Sequence, residues 1–124
     1  MHYTVIIHRE LPGFNEYSRK ERSYRMEAAI FKKNLERDLI MEIKSQIGNV
    51  ELKTPVAMVY RWYKSHTRMD KDNLAFAKKF IQDALVKNGN LKNDGWKYID
   101  RFYDEFFIDK ENPRVEVVIM EVEE

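Results

Sequence analysis

The sequence predicts an α+β fold, a small mixed β-sheet covered by two helices in the order β-α-β-α-β-β. Three patterns carry that expectation. Two segments space their apolar residues by three or four, Val56–Tyr63 is apolar on both faces, and Arg114–Val122 alternates Val115, Val117 and Ile119 against Glu116, Val118 and Met120. Tyr3–His8 is a β-rich run ended by the turn signal Leu11-Pro12-Gly13. From about Tyr17 to Ile47, the residues Tyr24, Ala28, Phe31, Leu35, Leu39, Ile43 and Ile47 form one stripe of a long helix. Asn15 or Ser18 is suited to cap it, and Gly48-Asn49 to end it. Pro55 opens the Val56–Tyr63 run, which reads as a central strand with its aromatics in the core.

A polar loop, Lys64-Ser65-His66-Thr67-Arg68, leads to Met69-Asp70-Lys71-Asp72-Asn73. A second helix follows to about Lys87, with Leu74, Ala77, Phe80, Ile81, Ala84 and Leu85 inward and Gly89 at its C′ position. Asn93-Asp94-Gly95 is a turn, Trp96 to about Ile108 makes one or two strands, and Val115, Val117 and Ile119 face inward from the last one. Met26, Met41 and Met58 read as core filler, and His8 as a structural strand residue.

At 124 residues, with 44% hydrophobic and 35% charged side chains, the chain reads as one globular domain over residues 1–124. No run is long and apolar enough to span a bilayer, and the N-terminus has no basic leader, so a cytoplasmic, non-membrane protein is expected. There is no cysteine, which excludes disulfides, thiolate zinc sites and cysteine nucleophiles. His2, His8 and His66 lack metal-ligand spacing. Gly13, Gly48, Gly89 and Gly95 are scattered and build no phosphate loop, so no organic cofactor is expected. Net charge is only +1, yet residues 1–92 carry 18 Lys and Arg against 11 acids, and residues 93–124 carry 4 against 10. Charge segregated in this way can build one basic face.

The most informative run is Asp70-Lys71-Asp72-Asn73, at the junction of a loop and a helix. Two carboxylates so close repel each other unless a cation compensates, and Mg²⁺ needs only one or two of them plus water and phosphate oxygens. Asp72 or Asn73 equally suits a helix N-cap, with Asp70 just outside. On an unbroken helix Asp72, Lys79 and Asp83 fall within about 20° of one face. A lysine there can neutralise a phosphodiester, or simply pair with Asp83 one turn on. Asp94 sits in a turn where aspartate is common for turn reasons alone.

With those residues in view, the chain resembles the RusA family of Holliday-junction resolvases, particularly its phage and prophage branch. The similarity runs through Leu11-Pro12-Gly13-Phe14-Asn15-Glu16-Tyr17 and a helix bearing Lys32-Lys33. It continues through Arg68-Met69-Asp70-Lys71-Asp72-Asn73, Lys79-Phe80-Ile81-Gln82-Asp83-Ala84-Leu85, Leu91-Lys92-Asn93-Asp94 and Asn112-Pro113-Arg114-Val115-Glu116-Val117. The resemblance implies a homodimer that resolves four-way DNA junctions by paired symmetric nicks with Mg²⁺ or Mn²⁺. It implies metal binding by Asp70, Asp72 and Asp94 and a catalytic lysine at Lys79, placed by anchoring on Asp83-Ala84-Leu85, with Lys78 as the alternative. Arg19, Lys32, Lys33, Arg61, Lys64, Arg68 and Lys71 are the candidate phosphate contacts, and Asn15, Asn73 and Asp83 candidate supporting residues. Two other classes stay open: a non-catalytic branched-DNA-binding accessory of recombination or replication, and a partner-binding protein in which Asp70 and Asp72 are merely caps.

Overall fold

The computed structural model describes residues 1–122. Its elements are β1 (His2–Ile7), α1 (Phe14–Ser23), α2 (Arg25–Ile47), β2 (Val56–Lys64), α3 (Lys71–Ala75), α4 (Lys78–Lys87), β3 (Ile99–Ile108) and β4 (Arg114–Glu121). The strands form one open mixed sheet in the order β1-β4-β2-β3. β4 runs antiparallel to both β1 and β2, while β3 runs parallel to β2 at the edge. A parallel pair cannot be closed by a hairpin, and here α3 and α4 lie in the connection.

The sequence periodicity explains the layering. Met58, Tyr60 and Trp62 on β2 alternate with half-buried Val59, Arg61 and Tyr63, and Val115, Val117 and Ile119 alternate likewise on β4. The inward set packs with Leu35, Leu39 and Ile43 of α2 and with Phe80, Ile81, Ala84 and Leu85 of α4. Helices therefore cover one face of the sheet, as an α+β domain requires. On the other face Tyr103 and Phe107 of β3 remain exposed.

Both expected helices are broken, each for a local reason. Tyr24 adopts an extended backbone (φ −162°, ψ 100°) between α1 and α2, and it is 60% exposed rather than part of the buried stripe. The preceding Ser23 hydroxyl donates to the Arg19 carbonyl at 2.8 Å, a competing bond that bends helices. The second break, at Phe76-Ala77, divides α3 from α4 beside the candidate acids. Met26 and Met41 are exposed and only Met58 is core; the two exposed methionines lie off the α2 stripe. His8 falls beyond the end of β1, exposed, with its ring nitrogen 3.4 Å from Glu42. Of the one or two strands expected from Trp96, one forms and begins at Ile99, because the amides of Tyr98 and Ile99 donate to the Gly95 carbonyl in a turn at 3.0 and 3.1 Å.

Candidate active site

β2 ends at Lys64, and the following loop delivers Asp70 to the start of α3 with an extended backbone (φ −65°, ψ 150°). Asp70 occupies the N-cap position, but its side chain makes no capping bond. Among the described residues the Asp72 carboxylate accepts only the amide of the next residue, Asn73, at 2.9 Å. Both aspartates are exposed, and among the described residues no ion pair reaches Asp70, Asp72 or Asp94. Their charges are left uncompensated, which is what a hard cation needs of its oxygen donors.

Asn73 does cap a helix, but not its own. Its Oδ1 accepts the backbone N–H of Asn15, the second residue of α1, at 2.8 Å. Gly13, whose position precedes α1, has no side chain to do this. The Gly13 backbone lies so close that an added Cβ would stand 2.8 Å from Met69 Sδ and 3.0 Å from Asn73 Oδ1. The Pro12-Gly13-Phe14-Asn15 entry and the Asp70–Asn73 turn are thus one docked unit, reinforced by Tyr17 against Phe76 and Phe80. Asn15 takes part through its amide rather than as the cap of α1.

The lysine beside Asp72 is Lys78. Between α3 and α4 the amides of Ala77, Lys79 and Phe80 donate to the carbonyls of Leu74, Phe76 and Ala77, each three residues back. A 3₁₀ turn advances about 120° per residue instead of 100°, so three such bonds rotate the rest of the helix by roughly 60° relative to α3. That rotation loosens the alignment of Asp72, Lys79 and Asp83 expected of one straight helix, and Lys78 rather than Lys79 comes to line a groove with Asp72. Lys79 is exposed and lies outside the groove formed by Lys71, Asp72, Ala75, Phe76, Lys78, Asp104 and Phe106. Asp83 is half-buried further along α4, and no ion pair joins it to Lys79 among the described residues.

Lys78 Nζ lies 2.5 Å from Asp104 Oδ2 and 4.4 Å from the Phe102 ring centroid. Asp104 Oδ1 accepts the indole N–H of fully buried Trp62 at 2.9 Å. Sequence reasoning missed Asp104; its signal is an acid at an inward position between Phe102 and Phe106. Gln82 donates to the buried Tyr60 hydroxyl at 3.0 Å. Burial pushes the Tyr60 phenol well up; the Gln82 bond opposes this, and the charges of Asp104 and Asp94 add to it. The phenol therefore stays protonated at neutral pH.

Asp94 stands in a turn in which Asn93 Oδ1 accepts the amides of Asp94 and Gly95 at 2.7 and 3.1 Å. It lines a neighbouring depression with Gln82, Trp96 and Phe102. Asp94 thus approaches the site from the Tyr60 side and Asp72 from the Lys71 side. Among the described residues no group of three or more His, Asp or Glu is gathered closely enough to hold a metal ion.

The basic candidates separate by position. Lys71 lines the groove with its Nζ 5.5 Å from the Phe106 ring centroid, and Arg68 is exposed in the loop before it. Arg19 and Lys33 are exposed on α1 and α2, with Lys32 half-buried. Arg61 lies on the opposite sheet face, 3.0 Å from Glu105. Lys64 is 8% exposed and faces Glu10 at 3.5 Å.

The family model for endodeoxyribonuclease RusA matches residues 12–120, and the chain belongs to that family, a family of DNA endonucleases. A comparison with curated proteins gives no match. No helix of the described residues is long and apolar enough to cross a membrane.

Proposed function

We propose that this chain is a Mg²⁺-dependent, structure-selective DNA endonuclease that resolves four-way junctions by paired symmetric nicks, acting in the cytoplasm as a single-domain homodimer. The observation that carries the reading is Asp72, free of ion pairs among the described residues and two residues from the equally free Asp70, lining one groove with the fixed lysine Lys78 in a chain of the RusA family. The donor set is all carboxylate oxygen, which fits Mg²⁺ or Mn²⁺, with Asp70 and Asp72 as primary holders and Asp94 as the third acid. When bound, the cation supplies Lewis-acid polarisation and neutralises phosphate charge.

The protein's own residues do the rest. Lys78 offers positive charge to the phosphoryl oxygens as negative charge builds on them. Lys71 and Arg68, with Arg19, Lys32 and Lys33 further out, hold the arms through phosphates, so binding weakens with salt and reads little sequence. A two-fold dimer suits a junction with two equivalent strands.

A non-catalytic branched-DNA-binding accessory is the second reading. The separate approaches of Asp94 and Asp72 favour it, since no three-acid cluster is preassembled among the described residues. The deciding experiment incubates the protein with an end-labelled four-way junction and a matched linear duplex, with and without Mg²⁺ or Mn²⁺, beside Asp72→Asn. Paired nicks in the junction alone, dependent on metal and lost in the variant, are expected. Tight binding with no cutting in either metal overturns the enzyme reading and leaves the accessory.

A further inference from the structure

We propose that Asp104 is a positioning residue of this nuclease, a fixed carboxylate that holds the Lys78 ammonium at one point on the groove wall beside Asp72. The inference rests on the junction-cleaving reading and deepens it.

β3 runs in register with β2 so that Asp104 stands opposite Tyr60, next to Phe102 and Phe106 on the inward side. An acid at such a position is costly unless both its oxygens are satisfied. Here each oxygen has one task. Oδ1 accepts the Trp62 indole N–H at 2.9 Å, and Oδ2 meets Lys78 Nζ at 2.5 Å. Trp62 is fully buried in the central strand, so the first bond fixes the carboxyl plane to the most rigid part of the sheet. The second extends that rigidity to the lysine, whose ammonium also lies 4.4 and 5.8 Å from the Phe102 and Tyr60 ring centroids.

A lysine has four rotatable bonds, and a free one surrenders that freedom whenever it engages a reacting phosphate. A lysine already held surrenders little, so its charge is available in the transition state without reorganisation. Lys79, one residue on, is exposed and has no ion-pair partner among the described residues. The difference between two adjacent lysines is therefore Asp104. Two other roles for this acid make different demands. A direct metal donor would need its oxygens free, and a purely structural ion pair would affect folding but not turnover.

The test is a double-mutant cycle on four-way junction cleavage with Asp104→Asn, Lys78→Met and the double variant, read as kcat and KM. Lys78→Met is expected to lower kcat by about 100-fold. Asp104→Asn should lower it by about 10- to 100-fold with KM little changed, as for other groups that orient a functional side chain. The double variant should be no worse than Lys78→Met, because Asp104 acts through that lysine. Asp104→Glu keeps the charge but reaches one methylene further, and it should restore part of the loss. It also serves if Asp104→Asn fails to fold.

A second readout is the indole N–H resonance of Trp62 by nitrogen-15 NMR, with fully exposed Trp96 as the reference. It should shift in Asp104→Asn and stay in place when Mg²⁺ is added to the wild type. Losses that multiply in the double variant, or a Trp62 resonance that follows Mg²⁺, overturn the proposal in favour of a metal donor. A wild type that cuts beside an Asp104→Asn variant that cuts equally well overturns it outright. A wild type that cuts no junction overturns the nuclease reading and this proposal together.

Discussion

Replacing Asn73 by alanine removes the side-chain oxygen that caps α1 from another element. The bond is short, 2.8 Å from Asn15 N to Asn73 Oδ1, and α1 has no cap of its own. Loss of an N-cap costs about 1 kcal/mol, within a range of about 0.5–2. The contacts of Tyr17 with Phe76 and Phe80 remain, so α1 should fray at its first turn rather than detach. For a domain of this size that cost lowers Tm by about 3–5 °C. Asn73→Asp keeps the acceptor and should retain most of the stability, its charge attracted by the α1 N-terminus but repelled by Asp72. Urea melts supply the free energies, and hydrogen exchange at residues 14–17 supplies the location. The cap is refuted if Asn73→Ala melts as the wild type does and those amides exchange no faster.

Gly13→Ala should destabilise by about 1–3 kcal/mol in urea melts, since the new Cβ meets Met69 Sδ at 2.8 Å and an Asn73 oxygen already held by Asn15. Lys78→Met should reduce junction cleavage at least about 10-fold more than Lys79→Met, and equal losses would refute the rotation at the 3₁₀ turn. Ser65→Ala removes one of the two Ser65 donors to Glu10, Oγ at 2.9 Å, and keeps the amide. Burial raises the Glu10 carboxyl, but the Ser65 bonds and the Lys64 charge outweigh it and hold it below its usual value of 4.5. A lowered folded value stabilises fully above 4.5 and is lost as pH falls through it. The variant should therefore be weaker by about 1 kcal/mol near neutrality and indistinguishable in strong acid, as urea midpoints at the two pH values would show.

The alternation in β4 and the doubly apolar β2 made the sheet legible, because a period of two leaves no other way to bury Val115, Val117 and Ile119. The apolar stripe Leu35, Leu39 and Ile43 made α2 legible for the corresponding helical reason. The helix breaks were not legible. Tyr24 fits a helical period, and only the Ser23 back-bond, a matter of side-chain rotamer, shows why the chain turns there. In the site, the Asp70–Asn73 run stood out because close like charges are unusual. Asp104 did not, because β3 also carries Asp100 and Glu105 and nothing singles it out until the register sets it opposite Tyr60. Which of Lys78 and Lys79 shares a groove with Asp72 was equally invisible, because the hydrogen bonds to the third residue back that tighten the joint leave no trace in composition.

The tight turn between α3 and α4 also determines how the site tolerates changes in length. Loss of a single residue from 75–77 would carry Lys79 into the place of Lys78, opposite Asp104. Such a slip would keep a cation in the groove, but it would also turn Phe80, Ile81, Ala84 and Leu85 by about 100° away from the core they fill. A one-residue insertion has no such remedy, since it would bring Ala77 or its replacement to face Asp104 and leave a desolvated acid unpaired. Both changes should therefore lower stability, and they differ in whether a cation still stands opposite Asp104.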